Sequence, residues 1–426
     1  METLYKVGLR NRLSFLNRAS LLALMVTTMP DAAFANSALK PPTNWNQFAN
    51  KHAIKSIVDL RHRSEFVDAA EFDETASAHT FRARVGVQFK LHDRIEILVE
   101  GEGVANINNQ FNSTTNGVLN RPIVADPEEI ELNRARAKIA LTDDTAITAG
   151  RQRINYADQR FVGAVDFRQN QQTFDALRLT AQPVEGVEID YAYLDRVHRI
   201  FGDGNPVGNF RSDSHIGELR YKKGPIDEIV AYGFALDFEN APALSSLTIG
   251  ARAKHSIPLA EKTSAVVRGE YANQRDYGAA TSDFNVDYIA GDVALKRGIF
   301  TAKAGYERLG GDGNVGFSTP LATLHKFQGF ADRFLTTPVD GIQDVYGMIA
   351  AEKQSVGQLK AVGAKVFYHR FDTTTDGQDL GSEVNAIVSA KFNQQLSAEF
   401  RGALYRADTF GPPDVHKVWL ALRYVL

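Results

Sequence analysis

The chain contains no cysteine among its 426 residues. Disulfide bonds therefore contribute nothing to its stability, although exported proteins often depend on them. The same absence excludes thiol catalysis and metal sites with cysteine ligands. No other cofactor or metal motif stands out, and we predict neither a cofactor nor a metal centre.

The chain also lacks an excess of positive charge. It has 48 basic and 51 acidic residues, which give a formal net charge of −3. A general nucleic-acid binder would carry a strongly basic surface. We therefore predict that nucleic acid is not a partner.

No apolar run is long enough to cross a membrane as a helix. The run at Leu21–Met29 is far shorter than the ~20 apolar residues that a spanning helix needs. Basic residues precede this run and a short Ala33–Ala35 stretch follows it, which is typical of a secretory signal. We predict a signal peptide over 1–35, a periplasmic leader over 36–50, and one domain over 51–426.

The rest of the chain shows no convincing amphipathic helix and no linker, but it alternates apolar and polar residues from end to end. In "HTFRARVGVQF", for example, Phe81, Ala83 and Val85 alternate with Arg82 and Arg84. A period of two is typical of a strand with one apolar face and one polar face. The pattern predicts about eighteen strands, near 55–62, 79–90, 94–104, 132–142, 145–151, 173–181, 186–195, 214–222, 228–238, 246–256, 263–274, 285–296, 299–308, 342–352, 358–369, 382–392, 396–406 and 417–425.

The connections between these strands alternate between short and long. Tight turns such as "KLHDR" and "LTDDT" alternate with long connections near 104–131, 152–172, 196–213 and 310–341. Transmembrane barrels have short turns at one rim and long loops at the other. The predicted fold is therefore an all-β, transmembrane antiparallel β-barrel with short periplasmic turns and long extracellular loops, in the outer membrane of a Gram-negative bacterium and in contact with its lipid bilayer.

The predicted inner face is richer in basic than in acidic residues. Its predicted basic members include Arg82, Arg84, Arg134, Arg136 and Arg178. Such a wall favours anions. The alternative is that interior charges pair across strands and form a polar filling, as the spacings of Arg220 with Glu218 and of Arg268 with Glu270 allow.

Two long segments carry a resemblance to a known family. "GRQRINYADQRFVGAVDFRQNQQTFDALRL" at 150–179 and "GFSTPLATLHKFQGFADRFLTTPVDGIQDVYG" at 316–347 resemble marked regions of the alginate export porin family, and "KVWLALRYVL" resembles its closing strand. The resemblance implies a barrel that passes an anionic polysaccharide or oligosaccharide, supplied by periplasmic export components. It makes Arg151, Arg153, Arg160 and Arg168 candidate pore residues, with Asp158 and Asp166 as partners.

Other interpretations stay open at this point. The arginines of the first segment could pair with Asp158, Asp166 and Asp175 and only hold a folded loop. The second segment has apolar residues at near-helical spacing from Leu321 to Phe334, which predicts a short helix and a gate or plug, with His325 as a structural residue.

A general or small-anion uptake porin and a purely structural barrel are the alternatives to polysaccharide transport. We predict no enzyme activity, because no "GxSxG" motif or other serine and histidine pattern is present.

Overall fold

The structure, a computed structural model, describes residues 53–223 and 226–426. The predicted signal peptide and periplasmic leader lie outside the described residues and stay predictions. Within the described part of the chain, no helix is both long enough and apolar enough to cross a membrane.

Eighteen antiparallel strands form one sheet in the described residues. Each strand pairs with its neighbours in sequence, and β1 also pairs with β18, for example Asp59 with Val425, so the sheet closes into a barrel. The strands are β1 (Lys55–Ala69), β2 (Ala76–His92), β3 (Ile95–Asn106), β4 (Glu129–Ala140), β5 (Thr145–Gln152), β6 (Thr173–Val184), β7 (Val187–His198), β8 (Asn209–Tyr221), β9 (Glu228–Leu236), β10 (Ser246–Ala260), β11 (Thr263–Arg275), β12 (Asn285–Arg297), β13 (Phe300–Leu309), β14 (Ile342–Val356), β15 (Leu359–Asp372), β16 (Asp379–Lys391), β17 (Leu396–Ala407) and β18 (Val415–Val425).

These strands confirm the predicted fold and the predicted alternation of short turns and long loops. The largest differences lie at the long-loop ends, where β1 runs to Ala69 rather than 62 and β8 begins at Asn209 rather than 214. The end of β1 was missed because Arg63 and Glu65 occupy inward positions that the apolar pattern does not mark. Their side chains bond to polar groups inside the barrel instead.

The outward face carries a band of apolar side chains. Leu177, Leu219, Ile249, Val293 and Ile349 are all exposed on this face. Exposed aliphatic residues in this number suit contact with lipid rather than water. Closure of the sheet also satisfies the backbone hydrogen bonds that lipid cannot.

Two long loops fill part of the barrel interior. The first inner loop comprises residues 153–172 and the second comprises residues 310–341, and they join through a parallel bridge between Val162 and Leu321. The backbone N–H of Gly163 donates to the carbonyl of Leu321 at 2.8 Å. The two loops therefore form one unit rather than two separate flaps.

The predicted helix in the second inner loop is wrong. The structure has only a three-residue 3-10 turn there, Leu324–Lys326, and a second such turn at Pro242–Leu244 between β9 and β10. The apolar residues of the predicted stripe are used for packing: Leu321, Phe330 and Phe334 are buried against other loops and the wall. Near-helical spacing therefore reflected an irregular loop with a buried side.

Candidate functional site

A cavity of about 1200 Å³ lies inside the barrel beneath the inner loops. Its lining runs from residues beside the short turns, such as Lys296 and Ser397, up to Asp158, Phe167 and His325 of the inner loops. The inner loops therefore bound this cavity on one side. We call the cavity, which faces the short-turn rim, the vestibule.

The described residues that line this cavity are predominantly basic. Twelve are lysine or arginine and eight are aspartate or glutamate. The basic residues are Arg61, Arg63, Arg220, Arg252, Lys254, Arg268, Lys296, Lys303, Lys326, Lys365, Arg401 and Arg423, and the acidic ones are Asp158, Asp166, Glu228, Asp292, Glu307, Asp344, Glu352 and Glu399. A positive excess inside a chain of negative net charge raises the local concentration of anions.

Some of these basic side chains are not used in ion pairs. Lys254 and Lys365 are exposed within the barrel, and neither has a carboxylate oxygen at ion-pair distance among the described residues. Other interior charges pair as predicted: the Arg220 Nη2 lies 3.0 Å from the Glu218 Oε2, and the Arg268 Nη1 lies 3.4 Å from the Glu270 Oε2. The interior thus combines a paired wall with free cations.

A second cavity of about 420 Å³ lies between the short-turn ends of β4 to β8 and the first inner loop. Its lining has the opposite charge balance, with Asp143, Asp144, Glu188, Asp190 and Glu218 against Lys138, Arg178 and Arg220. Arg178, a predicted pore residue, faces this cavity and donates its Nε to Asp190 at 2.8 Å.

Arg160 is an anchor of the first inner loop. Its side chain is 2% exposed and its Nε donates to the Glu307 carboxylate on β13 at 2.7 Å. Its Nη2 donates to Gln328 of the second inner loop at 3.2 Å, and its guanidinium lies over the Phe327 ring. Burial acts to lower the pKa of Arg160, but the facing Glu307 outweighs it and the pKa is raised. The structure therefore places Arg160 away from the vestibule, between loop and wall.

Arg168 anchors the other end of the same loop. It donates to Glu65 on β1 at 3.2 Å and to Asp332 of the second inner loop at 3.1 Å. Asp332 also accepts from Lys417 on β18 at 3.1 Å and from the Nδ1 of His325 at 2.8 Å. Asp332 is therefore the hub of a buried charge network that joins both loops to the wall.

Arg153, Asp158 and Asp166 are the accessible members of the predicted set. The side chain of Arg153 is 38% exposed, and its Nη1 lies 3.7 Å from Asp166. Asp158 lines the vestibule and pairs with Arg268 on β11 at 2.9 Å rather than with an arginine of its own loop. Asp166 also lines the vestibule. Asp158 and Asp166 thus face the vestibule, Arg153 is exposed beside Asp166, and the role of all three in transport stays a proposal.

The interior position predicted for Arg151 does not match its register. Gln152 and Thr148 point inward on β5, so Arg151 lies on the opposite face, where it pairs with Asp175 at 2.9 Å. Asp175 also accepts from His198 at 2.8 Å. Arg151 and Asp175 therefore stabilise the outer side of the wall. The family motif marks a continuous segment, but consecutive residues of a strand point to opposite faces of the sheet.

Four further predicted arginines lie on the inner wall in ion pairs. Arg82 pairs with Asp59 at 2.6 Å, and Arg136 pairs with Glu96 at 3.1 Å. Arg84 pairs with Glu102, and Arg134 binds both carboxylate oxygens of Glu100. Arg82 and Arg84 are almost completely buried, so they are better placed to hold the wall than to contact a solute.

The sequence pattern did not single out Arg61 and Arg63, which line the vestibule. Arg61 and Arg63 hold the first inner loop through the backbone carbonyls of Asp166, Phe167 and Arg168. Their spacing of two along β1 was an available signal. The contacts themselves join residues about a hundred positions apart and left no local pattern.

The inner loops also carry a concentration of unusual backbone geometry. Of nine described non-glycine residues with positive φ, five lie here: Ala157, Gln159, Val165, Gln328 and Asp332. Val165 is β-branched with φ of 53°, a conformation that such residues rarely adopt. Strain of this kind persists where surrounding contacts over-determine it, and it clusters at functional segments.

The network predicts that docking of the second inner loop weakens in acid. His325 stacks on Phe167 with ring centroids 3.5 Å apart and faces Asp332, Arg168 and Arg401. Burial lowers the pKa of His325 to about 4, against ~6.5 when unfolded. Between these two pKa values the undocked state binds more protons than the docked state. The free energy of docking is therefore most favourable above about pH 7, and it becomes roughly 3 kcal/mol less favourable as pH falls to about 4.

Hydrogen exchange across 310–341 between pH 7 and pH 4 measures this effect, after correction for the intrinsic exchange rate. His325→Phe is the control, because it keeps an aromatic ring against Phe167 and removes the titrating group. Its protection should change much less over this range. Wild-type protection that does not vary with pH would show that His325 is not coupled to docking.

The fold and the interior together define a class of protein. A closed eighteen-strand antiparallel barrel, apolar outside and charged inside, with loops folded into the interior, is an outer-membrane channel. Solved structures of this class are similar to it. OccAB4 of Acinetobacter baumannii has a TM-score of 0.68 at 16% identity, covering 88% of this chain and 98% of that chain. OpdK of Pseudomonas aeruginosa has a TM-score of 0.66 at 15% identity, covering 87% and 98%.

Residues 55–194 match the family model described as alginate export. This match confirms the resemblance carried by the first motif, and it extends from β1 into β7. The second motif, at 316–347, lies beyond the matched residues. No curated protein matches the chain.

Proposed function

We propose that this outer-membrane channel passes an anionic polysaccharide or oligosaccharide, of the polyuronate kind, through the basic vestibule. The observation that carries the proposal is the excess of basic over acidic side chains around the 1200 Å³ cavity. A charged wall in a low-dielectric cylinder concentrates counterions and slows ions of its own sign.

The distribution of the free cations supports movement rather than tight capture. Lys254 lies on β10 and Lys365 on β15, so unpaired ammonium groups occur on well-separated parts of the wall. Lysine is a flexible and strongly hydrated charge. Contacts of this type are weak enough to let an anionic chain advance, which conduction requires.

The size of the vestibule and the family match support a chain of sugars. The volume of about 1200 Å³ exceeds the ~300–1000 Å³ typical of sites for drug-sized ligands. The alginate export description of the matching family favours a polyuronate. In this proposal the vestibule receives the polymer from periplasmic export components at the short-turn rim.

Uptake of small carboxylates is the second candidate function. One similar structure is OpdK of Pseudomonas aeruginosa with vanillate, a small aromatic carboxylate, at a TM-score of 0.65 and 15% identity. The same basic wall would serve such a solute. The two candidates differ in whether a polymer blocks the current.

We expect the purified protein in planar bilayers to show an anion-selective reversal potential in a salt gradient, and oligouronate to interrupt the current. Replacing Lys254, Lys303 and Lys365 together with glutamine should move the reversal potential toward zero, because the described lining then keeps nine basic against eight acidic residues and loses most of its positive excess. Arg153→Ala should also shorten the block, since its exposed guanidinium is available to a carboxylate.

Lys262→Gln is the matched control, because Lys262 lies at the β10–β11 turn with its side chain 80% exposed. Anion selectivity that is blocked only by small carboxylates would favour the uptake function. Cation selectivity would contradict both candidates, and a complete absence of conductance would favour a structural barrel.

A further inference from the structure

Arg401 differs from the anchoring arginines Arg61, Arg160 and Arg168 in how its guanidinium is used. It lies on β17, pairs in register with Trp419 and Ile387, and lines the vestibule beneath the inner loops. Its side chain is 20% exposed, so it reaches the cavity.

The guanidinium of Arg401 is held from three sides. Its Cζ lies 4.9 Å from the ring centroid of Phe167 and 5.5 Å from that of Phe330. Its Nε donates to Glu399 at 2.6 Å. Stacking on aromatic rings and one charge-assisted hydrogen bond fix the plane of a guanidinium.

The two terminal nitrogens of Arg401 remain available. In the part of the chain that the structure describes, no protein acceptor lies at hydrogen-bond distance from either Nη. Arg61 shows the contrast: its Nε donates to Gln169 at 2.8 Å, its Nη1 to the Asp166 carbonyl at 2.9 Å, and its Nη2 to the Arg168 carbonyl. The guanidinium of Arg401 is therefore held in a fixed orientation, as that of Arg61 is, but its two Nη groups stay available to donate to a carboxylate.

A row of rings continues from this arginine along the wall. Phe330 contacts Phe367 on β15 edge to face at 5.5 Å, and Phe367 is followed by His369 at 6.2 Å. All three line the vestibule, and Phe367 is only partly buried. A ligand held by Arg401 thus has an apolar ring surface beside it.

We propose that Arg401 and Phe367 form a binding subsite for a carboxylate attached to a six-membered ring. The carboxylate binds the two Nη groups of Arg401, and the ring packs against Phe367. The subsite deepens the proposed function and rests on it, because it gives the anionic solute a place to pause under the inner loops. Uronate residues and aromatic acids share this chemistry.

Isothermal titration calorimetry of the purified protein in detergent tests the subsite, with a triuronate, benzoate and acetate as probes. The ring acids should bind more tightly than acetate. Arg401→Lys should weaken both ring acids roughly tenfold, because lysine keeps the charge but loses the planar fork and the stacking. Phe367→Leu should reduce the advantage of ring acids over acetate.

Arg211→Lys is the matched control, since it makes the same exchange on β8, where the Arg211 side chain is 51% exposed and does not line the vestibule. This control should leave the affinities for the ring acids within about twofold of the wild-type values, a change in binding free energy of less than about 0.5 kcal/mol. Migration on unheated gels shows that each variant forms the barrel. Tighter binding of triuronate than of benzoate assigns the subsite to a polymer, and the reverse order assigns it to a small aromatic acid.

Unchanged ring-acid affinity in Arg401→Lys, or ring acids that bind no better than acetate, overturns the subsite. The reversal potential, measured separately, reports on the proposed function. A cation-selective channel with Arg401-dependent binding would overturn that function and leave the subsite in place. An anion-selective channel without such binding would do the opposite.

Discussion

Asp332→Asn should release the second inner loop from the barrel wall and increase the single-channel conductance. The substitution keeps the shape of the side chain but removes the anion that Arg168, Lys417 and His325 share. Lys417 is then left buried without a carboxylate, a defect that typically costs about 3–5 kcal/mol. We expect this cost to fall on loop docking, because the strand ladders do not depend on Asp332.

Single-channel recording and limited proteolysis across 310–341 measure this result. Asp340→Asn is the control in the same loop, since the Asp340 side chain has no ion pair among the described residues. It should leave conductance and protease resistance unchanged. If Asp332→Asn behaved like this control, the buried network would not be what holds the loop.

Arg160→Ala should undock the first inner loop, and Glu307→Gln in the same chain should restore part of the docking. The single change leaves the buried Glu307 with Tyr288 and Gln328 as its remaining hydrogen-bond partners among the described residues, and its cost is about 3–5 kcal/mol. Neutralising Glu307 removes the uncompensated charge. The double variant should therefore lose about 0.5–3 kcal/mol less than the two single changes added together.

Protease resistance of 153–172 and the conductance of all three variants measure this coupling. Arg153→Ala is the control for protease resistance, because its partly exposed ion pair with Asp166 contributes only about 0–1 kcal/mol. If Arg160→Ala left the loops protected but removed anion preference, Arg160 would be a permeation residue rather than an anchor.

The sequence predicted the wall of this protein far better than its interior. Strand positions follow from a local period of two, so all eighteen described strands were found, with the largest errors at the end of β1 and the start of β8. The charge of the inner face followed from the same alternation, as Arg220 and Arg268 show. Both are properties of neighbouring residues.

The roles of the motif arginines could not be read in this way. Arg151, Arg153, Arg160 and Arg168 look equivalent in the sequence, yet one faces outward, one is exposed and two are buried. The two buried arginines bind partners that are distant in sequence: Arg160 binds Glu307, 147 residues away, and Arg168 binds Asp332, 164 residues away. The contacts that decide between anchor and pore residue depend on how the two inner loops fold together, and no local pattern encodes that.

The hub at Asp332 also bears on how the protein is assembled. β1 and β18 are the first and last described strands, and their seam pairs residues more than 340 positions apart. Contacts of such long range form slowly, and until they form both strands have open edges. Asp332 holds Lys417 on one side of that seam and, through Arg168, reaches Glu65 on the other. The docked inner loops therefore connect β1 and β18 across their seam. A variant that fails to dock these loops should also close its barrel more slowly.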